Sequence, residues 1–284
     1  MGYRVAVVGA TGNVGREMLQ ILAEREFPAD EVIALASARS VGTEVSYGED
    51  DVLKIRKLDD FDFTNIDIVL SSPGASVSAK YSTIAVEAGA VVIDNTSYFR
   101  MEPDVPLVVP EVNPDAIAGY KKRGIIANPN CSTIIMVVAL QPVHELSALT
   151  RVVVSTYQAA SGAGARGMEA LRRELAGEEL EDSPFPHRLA GNLVPRIDVV
   201  LDNGYTKEEM KMVLETRKIM GLGQVPISAT CVRVPVERAH SESIQVSTES
   251  PLDISAIREA FEKAPGLQVI DDPHDDRYPT PLPA

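Results

Sequence analysis

The sequence predicts an α/β N-terminal domain with a doubly wound parallel sheet, over residues 1–128, followed by a mixed α+β domain over residues 129–284. In the first half, short apolar runs recur with helical stretches between several of them, and strands that alternate with helices form parallel sheets. These runs lie at residues 4–9, 32–36, 66–71, 90–93 and 124–128. In the second half, residues 225–236 and 241–247 alternate apolar and polar side chains, as antiparallel strands with one covered face do.

The remaining elements follow from periodicity. The first helix carries one apolar stripe, formed by Val14, Met18, Ile21 and Leu22. A Pro-rich stretch at residues 102–114 precedes the change of texture between the domains. We expect a strand at residues 151–158, a buried helix beginning with the apolar run 134–140, and further helices at residues 165–175, 207–220 and 254–263.

Composition excludes several classes of protein. The net charge is −14, which disfavours a nucleic-acid surface because such a surface needs a cationic field. The longest apolar runs are too short to cross a bilayer, so we expect no membrane association. A strand pattern begins at the fourth residue, which predicts no signal peptide. The two cysteines form neither a metal spacing nor a disulfide framework, so we predict no metal site and a reduced, cytoplasmic setting.

Glycines at positions 9, 12 and 15 stand directly after the first strand and at a helix start. Gly9 and Gly12 permit a tight turn and close approach of a pyrophosphate, while Gly15 lets the helix pack on the strand. An ordinary strand–turn–helix is the alternative, but the context favours a Rossmann-type dinucleotide site.

The end of the second strand indicates which dinucleotide is bound. An NAD site usually has a carboxylate there for the ribose hydroxyl. This chain has Ser37, Arg39 and Ser40 instead, which suit a 2′-phosphate. A surface turn with a solvated arginine is the alternative, and NADP is favoured over NAD.

Cys131 follows a polar Asn-Pro-Asn turn and precedes an apolar helical run. It is therefore expected at a helix N-terminus, where the dipole lowers a thiol pKa and N–H groups can hold an oxyanion. Cys231 lies in an alternating strand and fits an inert core residue. A thiol nucleophile needs a base, and His240, between two strands, is the best candidate, although the residues alone leave the pairing open. The other histidines, His144, His187 and His274, fit loop or surface positions.

Six motifs together resemble aspartate-semialdehyde dehydrogenases, most closely the bacterial branch, in order and spacing from residue 3 to about residue 280. They occupy residues 9–15, 94–100, 109–113, 128–133, 157–164 and 240–242. The resemblance implies reversible conversion of L-aspartyl-4-phosphate and NADPH to L-aspartate semialdehyde, NADP and phosphate through a cysteine thioester. It also implies a role in lysine, methionine, threonine and diaminopimelate biosynthesis, and a homodimer or homotetramer formed through the second domain.

The resemblance further implies the roles of individual residues. Catalysis falls to Cys131 as nucleophile, His240 as acid/base, Gln158 as substrate-orienting group and Asn130 as support for the cysteine and the oxyanion. Substrate binding falls to Arg100, Glu208, Lys211 and Arg233, which would hold the phosphate, the ammonium and the α-carboxylate. The implied cofactor contacts are Gly9, Thr11, Gly12, Asn13, Val14, Gly15, Ser37, Arg39, Ser40, Ser161 and Gly162.

Two features depart from the family pattern. Members usually extend further, with a segment that packs back onto the cofactor domain and that this sequence is expected to lack. The loop at residues 71–74 reads Ser-Ser-Pro-Gly, in which Pro73 removes a backbone donor. The alternatives are an N-acetyl-glutamyl-phosphate reductase-like enzyme, which shares the chemistry, and a truncated dimer without catalysis.

Overall fold

A computed structural model of the chain describes residues 2–282. The chain divides into two compact units. The first runs to Val108 and resumes at Pro114–Pro129, and the second takes Val109–Asn113 together with the chain from Asn130 onward. The boundary predicted near residue 128 lies beside this junction. Within the second unit, Glu111 of the segment 109–113 lies beside Gly266, where an added Cβ would be 3.1 Å from Glu111 Cγ.

The first unit is built on a six-stranded sheet in which every neighbouring pair is parallel. Its strands are β1 (Tyr3–Val8), β2 (Ala29–Ala36), β5 (Arg56–Lys57), β6 (Ile68–Ser71), β7 (Val91–Asp94) and β8 (Ile125–Ala127), and its helices are α1 (Asn13–Glu24) and α2 (Ala75–Glu87). The predicted doubly wound α/β fold is confirmed. A 3₁₀ helix at Pro114–Lys122 follows the Pro-rich stretch.

The strand order, β5-β2-β1-β6-β7-β8, changes direction at β1, which lies between β2 and β6. Ligands of doubly wound sheets bind at such a point, outside the carboxyl ends of the strands. The loops that follow β1 and β6 meet there, since a Cβ on Gly9 would lie 2.8 Å from the carbonyl carbon of Ser72. The glycine loop therefore lies where the fold class places a ligand.

Sequence patterns did not reveal three short strands of this unit. An antiparallel hairpin joins β3 (Glu44–Tyr47) to β4 (Asp51–Lys54), and β5 has two residues. Four residues give only two alternations of polarity, too few to distinguish a strand from a loop. Val45 is buried in the core of this unit, and it packs there together with Leu19 and Val5.

Up to residue 282, the second unit contains a three-stranded sheet and four α-helices. Its elements are α3 (Cys131–Leu146), β9 (Leu149–Gln158), α4 (Gly164–Leu175), α5 (Lys207–Met220), β10 (Ile227–Arg233), β11 (Ser241–Thr248) and α6 (Ile254–Lys263). The prediction of an α+β second domain is confirmed. Within the described residues, no helix is both long and apolar enough to span a membrane.

The strand pairing in this sheet differs in part from the prediction. The central strand is β9, which pairs antiparallel with β11 but parallel with β10. The predicted antiparallel arrangement of residues 225–236 was therefore wrong. Their alternation reports one covered face, but it carries no information about the neighbouring strand. A parallel pair needs a crossover connection, and α5 lies in the segment that links β9 to β10.

Candidate active site

Cys131 is the first residue of α3, as the sequence predicted. Asn130 caps this helix with an extended backbone, at φ −63° and ψ 144°. Its side-chain Oδ1 accepts hydrogen bonds from the backbone N–H groups of Ser132 at 3.0 Å and Thr133 at 3.2 Å. An N-cap of this kind satisfies donors that a helix start leaves unpaired. Cys131 is exposed, so its thiol is accessible at the positive end of a helix.

Helix α5 holds the other polar groups of Asn130. The side-chain amide donates to Glu208 Oε1 at 2.9 Å, and the backbone N–H donates to Glu215 Oε2 at 2.6 Å. Gln158, at the end of β9, donates from Nε2 both to Glu208 Oε1 at 3.0 Å and to Ser132 Oγ at 2.6 Å. Asn130 and Gln158 thus belong to one buried network around Glu208, and Cys131 follows Asn130 directly in the chain.

The carboxyl end of β9 brings in the remaining groups. Backbone bonds link the loop after β9 to the connection between β10 and β11, from Ala160 N to Val236 O at 2.8 Å. Ala159 contributes both of its backbone polar groups. Its N–H donates to His240 Nδ1 at 3.0 Å, and its carbonyl accepts from Arg233 Nη1 at 2.6 Å. Ala239, which directly precedes His240, has a left-handed φ of 67°, an uncommon conformation for alanine.

A cation lies beside the central carboxylate. Lys211 Nζ donates to Glu208 Oε2 and to Asp198 Oδ2, both at 2.9 Å. Burial by itself raises the pKa of Glu208, but the charge of Lys211 and hydrogen bonds from Gln158, Lys211 and Asn130 outweigh it, so this pKa lies below its ordinary value. Burial lowers the pKa of Lys211, but the two carboxylates outweigh it and raise that pKa. Both groups therefore stay charged at neutral pH.

His240, in contrast to Glu208 and Lys211, stays neutral. Burial lowers the pKa of its imidazole, and the charge of Arg233 lowers it further, against the opposing effects of Glu208 and of a backbone hydrogen bond with Ala239. Since Nδ1 accepts the Ala159 N–H, the proton of the neutral ring lies on Nε2. In this state His240 offers an N–H donor, and becoming an acid requires the ring to give up the Ala159 hydrogen bond.

The first unit holds all of the predicted nucleotide-binding residues except Ser161 and Gly162. Gly9 has φ 85°, which favours glycine, and Gly12 caps α1 with no side-chain acceptor and no acidic residue in the first turn. The side-chain nitrogen of Asn13 is buried without a hydrogen-bond partner among residues 2–282. The start of α1 therefore leaves backbone donors available to an anion, and the Asn13 amide needs a partner, which fits a bound pyrophosphate.

The other first-unit candidates lie on two further loops. Ser37, Arg39 and Ser40 belong to the turn after β2, a 3₁₀ helix at Ala38–Ser40 without a carboxylate. Arg100 is 7% exposed and donates from Nε to the carbonyl of Asn128 and from Nη2 to that of Asn95, both at 2.9 Å. Of the two remaining candidates, Thr11 directly precedes Gly12 and Val14 is the second residue of α1.

The comparisons assign both halves of the chain to one family. Residues 4–120 match the family model described as semialdehyde dehydrogenase, NAD binding domain, and residues 140–284 match that described as semialdehyde dehydrogenase, dimerisation domain. The aspartate-semialdehyde dehydrogenase of Campylobacter jejuni is 53% identical, and the alignment covers 98% of this chain and 83% of that protein. The chain belongs to the aspartate-semialdehyde dehydrogenase family.

Solved structures of aspartate-semialdehyde dehydrogenases share the fold. The enzyme II of Vibrio cholerae, complexed with ASA, is 46% identical with a TM-score of 0.91, covering 94% of this chain and 81% of that one. The Candida albicans enzyme, solved with NADP, is 27% identical with a TM-score of 0.71, covering 93% of this chain and 76% of that one. Family membership makes this chain an oxidoreductase of amino-acid biosynthesis with a nucleotide-binding domain.

In this member of the family, the second unit brings together all the predicted catalytic residues and three of the four predicted substrate ligands. Ser161 and Gly162, predicted as cofactor contacts, lie in the same unit in the 3₁₀ helix Ala160–Ala163, and a Cβ on Gly162 would come within 2.8 Å of Arg233 Nη1. Arg100, the fourth predicted substrate ligand, lies in the first unit, as do the remaining cofactor candidates. No group of three or more His, Cys, Asp or Glu able to hold a metal ion occurs among residues 2–282.

Sequence reasoning missed two carboxylates of this site. Glu215 accepts from Asn130, and Asp198 shares Lys211 with Glu208. A signal for Glu215 existed, since residues seven apart on a helix lie on one face and Glu208 was already a candidate. Asp198 precedes a loop valine and has φ 69°, and nothing in its sequence context indicates a paired carboxylate.

Cys231, His187 and His274 lie where the sequence predicted, but the prediction for His144 was wrong, because this residue is half-buried in the last turn of α3. His144 Nδ1 accepts from the backbone of Leu149 at 3.1 Å, and His187 and His274 are exposed. Cys231 is 0% exposed in the apolar core, and burial raises the pKa of its thiol to about 12.

Glu242 has a buried carboxyl group on β11, and it lies opposite Thr156, two residues before Gln158 on β9. Glu242 pairs with Thr156 across β9 and β11, and Thr156 pairs with Cys231, so the three side chains share the covered face of the sheet. Neither carboxyl oxygen of Glu242 has a hydrogen-bond partner within the described residues. Burial raises the pKa of Glu242 to about 8, from 4.5.

The free energy of unfolding is therefore expected to depend on pH through Glu242. Between about pH 4.5 and 8 the folded carboxyl keeps its proton while the unfolded one loses it, so stability falls as pH rises, by up to about tenfold in the folding equilibrium constant per pH unit. Glu242→Gln should remove this loss and be more stable than the wild type at pH 9. Chemical denaturation at pH 5 to 9 measures both curves, with Glu249→Gln, an exposed glutamate just beyond β11, as control. Parallel curves for wild type and Glu242→Gln would refute the assignment.

Proposed function

We propose that this chain catalyses the reversible conversion of L-aspartyl-4-phosphate to L-aspartate semialdehyde and phosphate with NADPH as reductant, through a thioester on Cys131. The observation that carries the proposal is an exposed cysteine at a capped helix start, in one unit with a buried Glu208–Lys211 pair, Arg233 and His240. We also propose a homodimer or homotetramer, supported by the match of residues 140–284 to a dimerisation model.

The cofactor proposal rests on the first unit. The glycine loop, the α1 start and the unpartnered amide of Asn13 would hold the pyrophosphate. Ser37, Arg39 and Ser40 would hold a 2′-phosphate, and the absence of a carboxylate in that turn favours NADP over NAD. When bound, the nicotinamide supplies or accepts the hydride at the carbon attached to sulfur.

The nucleophile is proposed to act as a thiolate. The dipole of α3 favours a negative charge on the first residue of the helix. Arg233 lies close enough for an electrostatic interaction with Cys131, and a guanidinium favours the anionic form. Attack of sulfur on the acyl carbon breaks the bond to the phosphate oxygen, and phosphate leaves with the bonding electrons.

The substrate groups find partners of opposite charge. Within the described residues, the Arg233 guanidinium makes one hydrogen bond, through Nη1, so its other N–H groups would be available to the substrate α-carboxylate. Glu208 Oε2 accepts from Lys211 and retains a lone pair for the substrate ammonium. We propose that Lys211 also approaches the phosphate, and that Arg100, held by two backbone carbonyls, is a second phosphate ligand.

The remaining proposed roles are to stabilise the oxyanion of the intermediates, to transfer a proton and to orient the substrate. His240 would donate a hydrogen bond from Nε2–H to the oxygen of the tetrahedral intermediates. To transfer a proton, the ring would first be protonated at Nδ1 and give up the Ala159 hydrogen bond, and the imidazolium would then pass its Nε2 proton to the hemithioacetal alkoxide. Gln158 is held between Glu208 and Ser132 and would orient the substrate beside Cys131. Asn130 uses Oδ1 to cap α3 and Nδ2 to hold Glu208, so its support of the cysteine acts through the helix start.

The full chain is expected to reduce NADP with L-aspartate semialdehyde only when phosphate is present, because phosphate releases the acyl group from the thioester. The rate of NADPH formation measures this, with NAD in place of NADP and with N-acetyl-glutamate semialdehyde as comparisons. Turnover with the N-acetylated substrate alone would establish the alternative reductase. Folded oligomers without turnover on either substrate would establish a non-catalytic chain.

A further inference from the structure

The covered face of α5 carries two glutamates two helical turns apart, and both accept hydrogen bonds from one residue. Glu208 accepts from the Asn130 side chain, and Glu215 accepts from the Asn130 backbone N–H at 2.6 Å. Asn130 immediately precedes Cys131. We infer that Glu215 is a positioning residue for the nucleophile, which fixes the start of the cysteine helix through Asn130.

The burial of Glu215 argues against a role in packing alone. The residue is 2% exposed, and its neighbours on the covered face of α5 include Met212, Val213 and Ile219. A carboxylate at such a position costs more to bury than an apolar side chain of the same size. A short hydrogen bond from a backbone N–H to an ionised acceptor offsets part of this cost and is about twice as strong as a neutral one.

The bond to Glu215 completes the restraint of Asn130. Its Oδ1 and carbonyl belong to the first turn of α3, with the carbonyl accepting from Ile134 N at 2.9 Å. Its Nδ2 is tied to Glu208 and its N–H to Glu215, so two points on α5 fix the residue in position and rotation. Since Cys131 is the next residue along the chain, this restraint also fixes its Cα and the direction of its Cα–Cβ bond.

Glu215 also places a negative charge near the same helix start that favours the thiolate. Removing this charge while keeping an acceptor, as Glu215→Gln does, should move ionisation of Cys131 to lower pH. Glu215→Met keeps the volume but removes the acceptor, which leaves the Asn130 N–H without this bond. The two variants separate the geometric effect from the electrostatic one.

The inference rests on the proposed role of Cys131, and its test has two readouts. Glu215→Met is expected to lower kcat by about tenfold or more with KM within about twofold, because small misplacements of a nucleophile are costly. Glu215→Gln should recover most of kcat, since its amide oxygen still accepts. The control is Thr216→Val, which changes a buried neighbour on α5 whose hydroxyl has no partner among the described residues.

The second readout needs no turnover. The rate of iodoacetamide alkylation of the exposed Cys131, followed by mass spectrometry over pH, should shift to lower pH in Glu215→Gln and stay unchanged in Thr216→Val. Wild-type kcat in Glu215→Met, equal losses in Glu215→Met and Glu215→Gln, or an unmoved alkylation profile in Glu215→Gln would overturn the inference. If Glu215→Met does not fold, the alkylation profile of Glu215→Gln alone decides. Retained turnover in Cys131→Ala would instead defeat the proposed function itself.

Discussion

Replacing Cys131 with alanine is expected to lower phosphate-dependent turnover by about 10⁴-fold or more, the range seen when an enzyme loses its covalent nucleophile. Alanine has no atom that can form the thioester, so neither phosphate nor hydride can act on a covalent intermediate. The same variant should unfold at a temperature close to that of the wild type, because Cys131 is exposed and its side chain contributes little to the core. Initial rates with L-aspartate semialdehyde, NADP and phosphate provide the measurement.

Cys231→Ala is the matched control for this result. Cys231 is buried on β10 and lies one row from Arg233, so it tests whether any cysteine near the site is enough. It should retain turnover and lose only the modest stability that follows from a small cavity. If Cys131→Ala retained normal turnover while Cys231→Ala did not, the nucleophile would have been assigned to the wrong cysteine.

Local patterns in the sequence determined most of what could be predicted about this fold. The parallel sheet follows from apolar runs that alternate with helices, and α3 begins at Cys131 because Asn130 is a strong N-cap before an apolar stretch. The pairing of strands, in contrast, is not determined by local sequence patterns. The parallel pairing of β10 with β9 depends on the path of the chain through α5, which periodicity does not encode.

The same distinction applies to the candidate site. Each of Glu208, Lys211 and Arg233 taken alone resembles a solvated surface charge, and only motif order made them candidates. The structure adds what no motif carries, namely that the backbone of Ala159 fixes both His240 and Arg233. A backbone group has no sequence signature, so its role appears only when β9, β10 and β11 are assembled.

Gly15→Ala is expected to damage the first unit more than any other single methyl group added to the glycine loop. A Cβ on Gly15 would lie 2.3 Å from the carbonyl oxygen of Gly9 and 2.7 Å from the Cα of Ala10, and both contacts are with backbone. Relief requires α1 to move away from the loop after β1. Overpacking of this kind typically costs about 1–3 kcal/mol of folding stability, and it displaces the helix start proposed to bind the pyrophosphate.

Gly12→Ala separates the two consequences. A Cβ on Gly12 would lie 3.3 Å from the Gly9 carbonyl oxygen, and its φ of −76° is accessible to alanine, so the fold should tolerate it. Its methyl group would still stand at the α1 start, where a pyrophosphate must approach the backbone closely. Gly15→Ala should therefore lower both the melting temperature and NADP affinity, the latter by about 100-fold or more, whereas Gly12→Ala should lower affinity alone. Calorimetric unfolding and NADP titration measure the two effects. If Gly15→Ala melted at the wild-type temperature and bound NADP with wild-type affinity, close packing of α1 on the loop after β1 would not be a requirement of the dinucleotide site.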